Sequence, residues 1–140
     1  MVFKNEEFGY ANGQAVFILP YNGFRFIGKA SCHPDDMDME SERTGLCIAE
    51  ARAYIKVLKF RRNHEIMPAL KPMRDLLRSI ESSKKYSEKS YEMYRLRTEV
   101  QRLETELDTI NNAIAEEEKS LKDYINQKDA LYKRLRARNQ

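Results

Sequence analysis

Between Gly28 and Gly45 the chain reads GKASCHPDDMDMESERTG. One cysteine, one histidine and five carboxylates fall in this stretch, donor chemistry enough for a metal site, an acid/base pair or a ligand loop. Spacing argues against the first two. Asp36, Asp38, Glu40 and Glu42 alternate as in a calcium loop, but that loop needs Gly at its sixth position and a bidentate acid at its twelfth. Counted from Asp36, those positions hold Ser41 and Cys47. Cys32 and His33 are adjacent, yet no second Cys/His pair stands at zinc-ligand spacing, since the remaining residues of these types are Cys47 and His64. A Cys32–His33 nucleophile fails because neighbours on a strand point to opposite faces. The chain has no phosphate-cradling glycine loop and no Gly-x-Ser-x-Gly elbow. The expectation is a protein that is not an enzyme and carries no metal or cofactor.

Two readings of the stretch remain. In the first it is a junction between a sheet and a helix. His33-Pro34 then ends a strand, because the residue before proline is pushed into extended conformations. Asp35 caps a turn, Ser41 or Thr44 caps the following helix, and Glu42 pairs with Arg52. In the second reading it is one wall of a ligand site. Arg25 and Lys29 leave one strand on the same face, while Arg52, Lys56 and Lys59 follow at helical spacing. Arg and Lys suit phosphates, and Asp35, Asp36 and Ser41 suit sugar hydroxyls. His33, Asp38, Glu42 and Thr44 complete the candidate set. The ligand would be a small anionic nucleotide.

Three elements must position these groups. Asn12-Gly13 and Asn22-Gly23 are type I′ hairpin signals. They predict strands over Val2–Tyr10, Gln14–Leu19 and Phe24–Cys32, the last alternating Phe24, Phe26, Gly28, Ala30 and Cys32 with Arg25, Ile27, Lys29 and Ser31. A helix from about Glu42 to Ile66 follows. Its apolar stripe is Ile48, Ala51, Ile55 and Leu58, and Gly45, Ala49 and Ala53 form a second stripe of small residues that permits close approach. Pro68 and Pro72 interrupt the pattern, and a second helix is expected from there to about Ile80. From Met93 a heptad repeat runs to Arg138, with eleven of fourteen seam positions apolar or aromatic. It predicts one helix over about residues 87–137, roughly 75 Å long. Such a seam needs a cover, and a second copy is the expected one.

The fold class is therefore α+β. Residues 1–66 form the meander and first helix, 67–86 a Pro-kinked short helix and connector, and 87–140 a coiled-coil helix that makes a homo-oligomer. All five Gly lie at or before Gly45 and all four Pro at or before Pro72, so the rest of the chain holds no strong helix breaker. The net charge of +3 is uneven: residues 46–85 carry ten Lys/Arg against four Asp/Glu, whereas 86–140 carry eleven of each. A basic middle suits an anionic partner. No run approaches the roughly 18–20 apolar residues of a membrane span, and the first residues do not read as a signal peptide. Two Cys without other marks of secretion point to reduced thiols in a cytoplasm.

GKASCHPDDMDMESERTG followed by IAEARAYIKVLK resembles a family of small proteins from phages and prophages of Gram-positive bacteria. The motif falls on Cys32, His33, Pro34, Asp35, Asp36, Asp38, Ser41, Glu42, Thr44, Gly45, Ala49, Arg52, Ala53 and Lys56. The resemblance implies a phage protein in a host bacterial cytoplasm. By analogy with other small phage proteins, the expected role is counter-defence: an oligomer that sequesters a nucleotide immune signal. The alternatives are a coiled-coil protein that inhibits a host defence protein directly, or a nucleic-acid binder using Arg52, Lys56, Lys59, Arg61, Arg62, Lys71, Arg74 and Arg78.

Overall fold

The computed structural model describes residues 7–31, 39–83 and 91–138, with the side chains of residues 39–41 outside that description. Three antiparallel strands, β1 (Glu7–Ala11), β2 (Gln14–Tyr21) and β3 (Phe24–Ser31), form a meander in the order β1-β2-β3. Helix α1 (Met39–Phe60) runs into a π-helical turn (Arg61–Ile66), then α2 (Met67–Glu81), and α3 (Tyr91–Arg138) follows. The α+β class stands. The chain divides into two compact units, residues 1–58 with 114–140, and residues 59–113. The long helix contributes to both, so the division does not follow the chain in sequence order.

Both hairpin turns form as the dipeptides require. Asn12, Gly13, Asn22 and Gly23 all have positive φ, at 54°, 76°, 51° and 81°. With two-residue loops, Ala11↔Gln14 and Tyr21↔Phe24 close the hairpins, and every second pair beyond them exchanges ladder bonds. The groups of Gln14, Val16 and Ile18 therefore face β1, and those of Ala15, Phe17, Leu19 and Tyr21 face β3. By the same parity, the amides and carbonyls of Arg25, Ile27 and Lys29 point away from the sheet along the outer edge of β3. β2 runs two residues further than expected. Pro20 is tolerated there because it lies past Ile18, the last residue of β2 paired with β1 among the described residues, so its missing N–H costs no described ladder bond.

The first unit's core lies between the sheet and α1. Ala15, Phe17, Leu19 and Ala30 pack with Ala49, Ala53 and Val57, all at most 6% exposed. Ile48 packs against the same cluster, and the stripe of small residues, Ala49 and Ala53, lies over the sheet. The reason is Gly28: a methyl group placed there would stand 1.8 Å from the Ala49 carbonyl oxygen and 2.6 Å from the Ala53 nitrogen. The helix backbone rests directly on the strand.

Helix α1 begins at Met39, earlier than expected, and this corrects three readings. Ser41 and Thr44 lie inside the helix and are not its caps. Glu42 and Arg52 are ten residues apart on one helix, about 15 Å along its axis, and so do not pair. Thr44 is buried, at 6% exposure, and its hydroxyl lies 3.3 Å from that of Tyr132 on α3. Tyr132→Phe takes this partner from a buried hydroxyl and is expected to lower unfolding free energy by about 1–3 kcal/mol, measurable as a lower urea midpoint with unchanged slope.

In the second unit, α2 and α3 run antiparallel. Arg74 pairs with Glu104 and Glu81 with Arg97, both at 3.0 Å, while Arg62 in the π turn donates to Asn111 at 3.3 Å. Between them Leu70, Val100 and Leu103 are buried against Met73, Leu77, Leu96 and Leu107. In this half of α3 the cover for the heptad seam is α2 of the same chain. Beyond Ile114 the fully buried position among the described residues is Tyr132, one residue off the expected seam. The seam positions Glu117, Leu121, Tyr124, Lys128, Leu131 and Leu135 are half-buried, so the heptad phase continues to this end of the helix. The Asn111-Asn112 pair makes no hairpin, and α3 is one helix.

The prolines do not stop the helix. The Met67 amide bonds to the Arg62 carbonyl, five residues back, and Pro68 sits in the first turn of α2. Pro68 lacks the N–H that an α-helical turn would supply to the His64 carbonyl, and its ring would press on that oxygen. The widened turn comes where that conflict falls.

Candidate functional site: a basic strip on the edge of β3

The candidate residues separate into groups. His33, Asp35, Asp36 and Asp38 lie outside the described residues, as does the Ser41 side chain. Thr44 is buried and engaged with Tyr132, which removes it from any exposed ligand wall. Glu42 is exposed. Arg25 is held by Glu7, Nη2 to Oε2 at 2.5 Å, in a bridge that spans β2 from β3 to β1.

Arg52 and Lys56 come together with β3. The Arg52 Nη1 donates to the Lys29 carbonyl and the Lys56 Nζ to the Ile27 carbonyl, both at 2.6 Å. Two residues on a strand span about 6.6 Å and four on a helix about 6 Å. That match lets an i,i+4 pair of cations meet an i,i+2 pair of carbonyls when helix and strand run antiparallel. These carbonyls are the ones the hairpin register leaves unpaired on the sheet edge. Gly28 sits between them, under Ala49 and Ala53, and brings the helix close enough for the side chains to reach. The first task of Arg52 and Lys56 is thus to close the edge of β3, where open backbone groups would otherwise invite another strand.

That task leaves donors over. A guanidinium has five N–H groups and an ammonium three, and each spends one here on a carbonyl. Both side chains are exposed, and so is Lys29. The result is a strip of three cations along one strand edge. On α3 the Arg102 guanidinium donates to Glu99, one turn away on an exposed helix face, and holds its carboxyl below the usual range. Among the described residues no group of His, Cys, Asp and Glu is arranged to hold a metal. Cys47 is a free, exposed thiol.

Sequence reasoning missed Glu7 as the partner of Arg25 and Tyr132 as the partner of Thr44. Nothing in a local window signals either, since 18 and 88 residues separate the partners. The carbonyl acceptors of Ile27 and Lys29 had a signal: strand parity and the i,i+4 spacing of Arg52 and Lys56.

No family model, no curated protein and no solved structure matches the chain. Among the described residues no helix is long and apolar enough to cross a membrane.

Proposed function

We propose that the protein is a non-enzymatic phage counter-defence protein that binds and sequesters an anionic nucleotide signal in the host cytoplasm. The observation that carries this reading is the strip of Lys29, Arg52 and Lys56, two of its cations pre-positioned by backbone bonds 2.6 Å long and still holding spare donors. Pre-positioned side chains lose less rotamer freedom on binding. Phosphates take the strip, and the sugar hydroxyls take the carboxylates that follow it in sequence. Arg25 contributes less, because Glu7 already neutralises it.

Isothermal titration with an adenine nucleotide and a cyclic dinucleotide tests this, with inorganic phosphate as control. Lys29→Glu is the cleaner variant, since the backbone carbonyl bonded by Arg52 survives it. It and Arg52→Glu are each expected to weaken nucleotide binding at least tenfold, about 1.4 kcal/mol, with helical circular dichroism retained. Unchanged affinity in both variants removes the strip as a phosphate site.

A second reading has its own observation. Tyr91, Tyr94 and Leu76 in the second unit are 70%, 67% and 53% exposed, and Tyr94 lines an open groove of about 600 Å³ with Met73 and Leu96. Exposed aromatics of this kind suit a protein partner, and direct inhibition of a host defence protein would use them. The nucleic-acid reading is less favoured, because Arg61 and Arg74 in its basic segment face Glu65 and Glu104 of the same chain.

A further inference from the structure

Strand β2 holds seven consecutive apolar or aromatic residues, Ala15-Val16-Phe17-Ile18-Leu19-Pro20-Tyr21. A strand with one face in water alternates apolar with polar, and an unbroken run belongs to a strand covered on both faces. Among the described residues the chain covers one. On the α1 side Ala15, Phe17 and Leu19 are at most 6% exposed, while on the opposite face Val16, Ile18 and Pro20 are half-buried and Ile27 is 38% exposed.

We propose that a second copy of this chain docks on this outer face, sheet against sheet, about a two-fold axis. The face is self-complementary. Its apolar centre, Val16, Ile18 and Ile27, lies between an acid on β1, Glu7, and the bases Arg25 and Lys29 on β3. A two-fold rotation sets each copy's Arg25 towards the other's Glu7, the arrangement an isologous interface requires. The surface also has room for a partner: Gly9 stands opposite Val16, and nothing lies within 4 Å of where its side chain would be. Association by strand addition at β3 is closed by Arg52 and Lys56. The inference does not depend on the nucleotide reading.

Three strands of this length cover about 350 Å² in plan, less than half of the roughly 800 Å² per partner in a standard interface. The dimer is therefore weak, and sedimentation velocity of the full chain should cover the low to high micromolar range. The mass is expected to rise towards twice the monomer's, and Ile27→Lys to hold the monomer mass with an unchanged melting curve. A charge exchange tests the interface without touching its apolar centre. Arg25→Glu alone and Glu7→Arg alone should each weaken association, because like charges then meet across the axis. An equimolar mixture of the two should associate more strongly than either. A bridge confined to one chain gives no such recovery on mixing. A wild type that stays monomeric throughout, an Ile27→Lys variant that dimerises like the wild type, or a mixture no better than its components overturns the proposal.

Discussion

Gly28→Ala is expected to unfold the sheet-and-helix unit at temperatures where the wild type is fully native. The added methyl would meet the Ala49 carbonyl oxygen at 1.8 Å, its carbon at 2.9 Å and the Ala53 nitrogen at 2.6 Å. These are backbone atoms of a helix, so no side chain can swing aside. Either α1 lifts off the strand or β3 bends. Lifting α1 opens the cluster of Ala15, Leu19, Ala49, Ala53 and Val57, every member of which is 0–1% exposed, and breaks the two bonds from Arg52 and Lys56 to the strand. Overpacking typically costs about 1–3 kcal/mol and more when the backbone must move; this substitution belongs at or above the top of that range. With total stabilities of about 5–15 kcal/mol, the loss is large. Two other glycines supply the comparison. At Gly45 an added methyl reaches the Ala15 Cβ at 3.1 Å, a side-chain contact that a small shift relieves, and at Gly9 it meets nothing within 4 Å. The expected order of destabilisation by Ala is Gly28 first by a wide margin, then Gly45, then Gly9 near zero. Thermal melts followed by circular dichroism give that order directly, and a Gly28→Ala variant as stable as Gly9→Ala would mean that α1 does not rest on β3.

Much of this packing is legible in the sequence, since its cause is local. Asn-Gly pairs demand positive φ, so both turns and hence the meander could be read off directly. Gly28 occupies an inward position of an alternating strand, and Gly45, Ala49 and Ala53 repeat at helical spacing. Together they announce a close approach, although the sequence alone does not say that these two features meet. The helix start was misread because Ser41 and Thr44 are good cap residues anywhere, and propensity yields to context: Thr44 lies inside the helix and its hydroxyl is satisfied 88 residues away. Pro68 was read as an interruption, and a π turn carries the helix through it. The basic stripe of α1 was correct as a stripe. Its role was not legible, because backbone carbonyls at a sheet edge become acceptors only once the register is known. The acids of the opening stretch fall largely outside the described residues, so the ligand wall still stands on its residue types.

The heptad repeat raises a similar question, and Leu70→Ala answers it. A seam of apolar residues states that a helix has a partner; it does not state whose. Leu70 is fully buried between Val100 and Leu103 of α3 and carries no charge or hydrogen bond that could confuse the result. Truncating a buried Leu costs about 2–5 kcal/mol, from lost transfer energy and the cavity left behind. The expected outcome is a fall of that size in the stability of the second unit. It should be independent of protein concentration, because α2 and α3 belong to one chain. Leu76→Ala, at a position 53% exposed on the same helix, should change stability by less than about 0.5 kcal/mol. A cycle with Leu103→Ala sharpens the test: contacting residues couple by about 0.5–3 kcal/mol, and distant ones add. If the loss from Leu70→Ala grows as the protein is diluted, the seam is shared between copies and α3 is an oligomerisation helix after all. If it does not, the repeat that reads most like a dimer in this sequence is an internal strut, and self-association must be sought on the sheet.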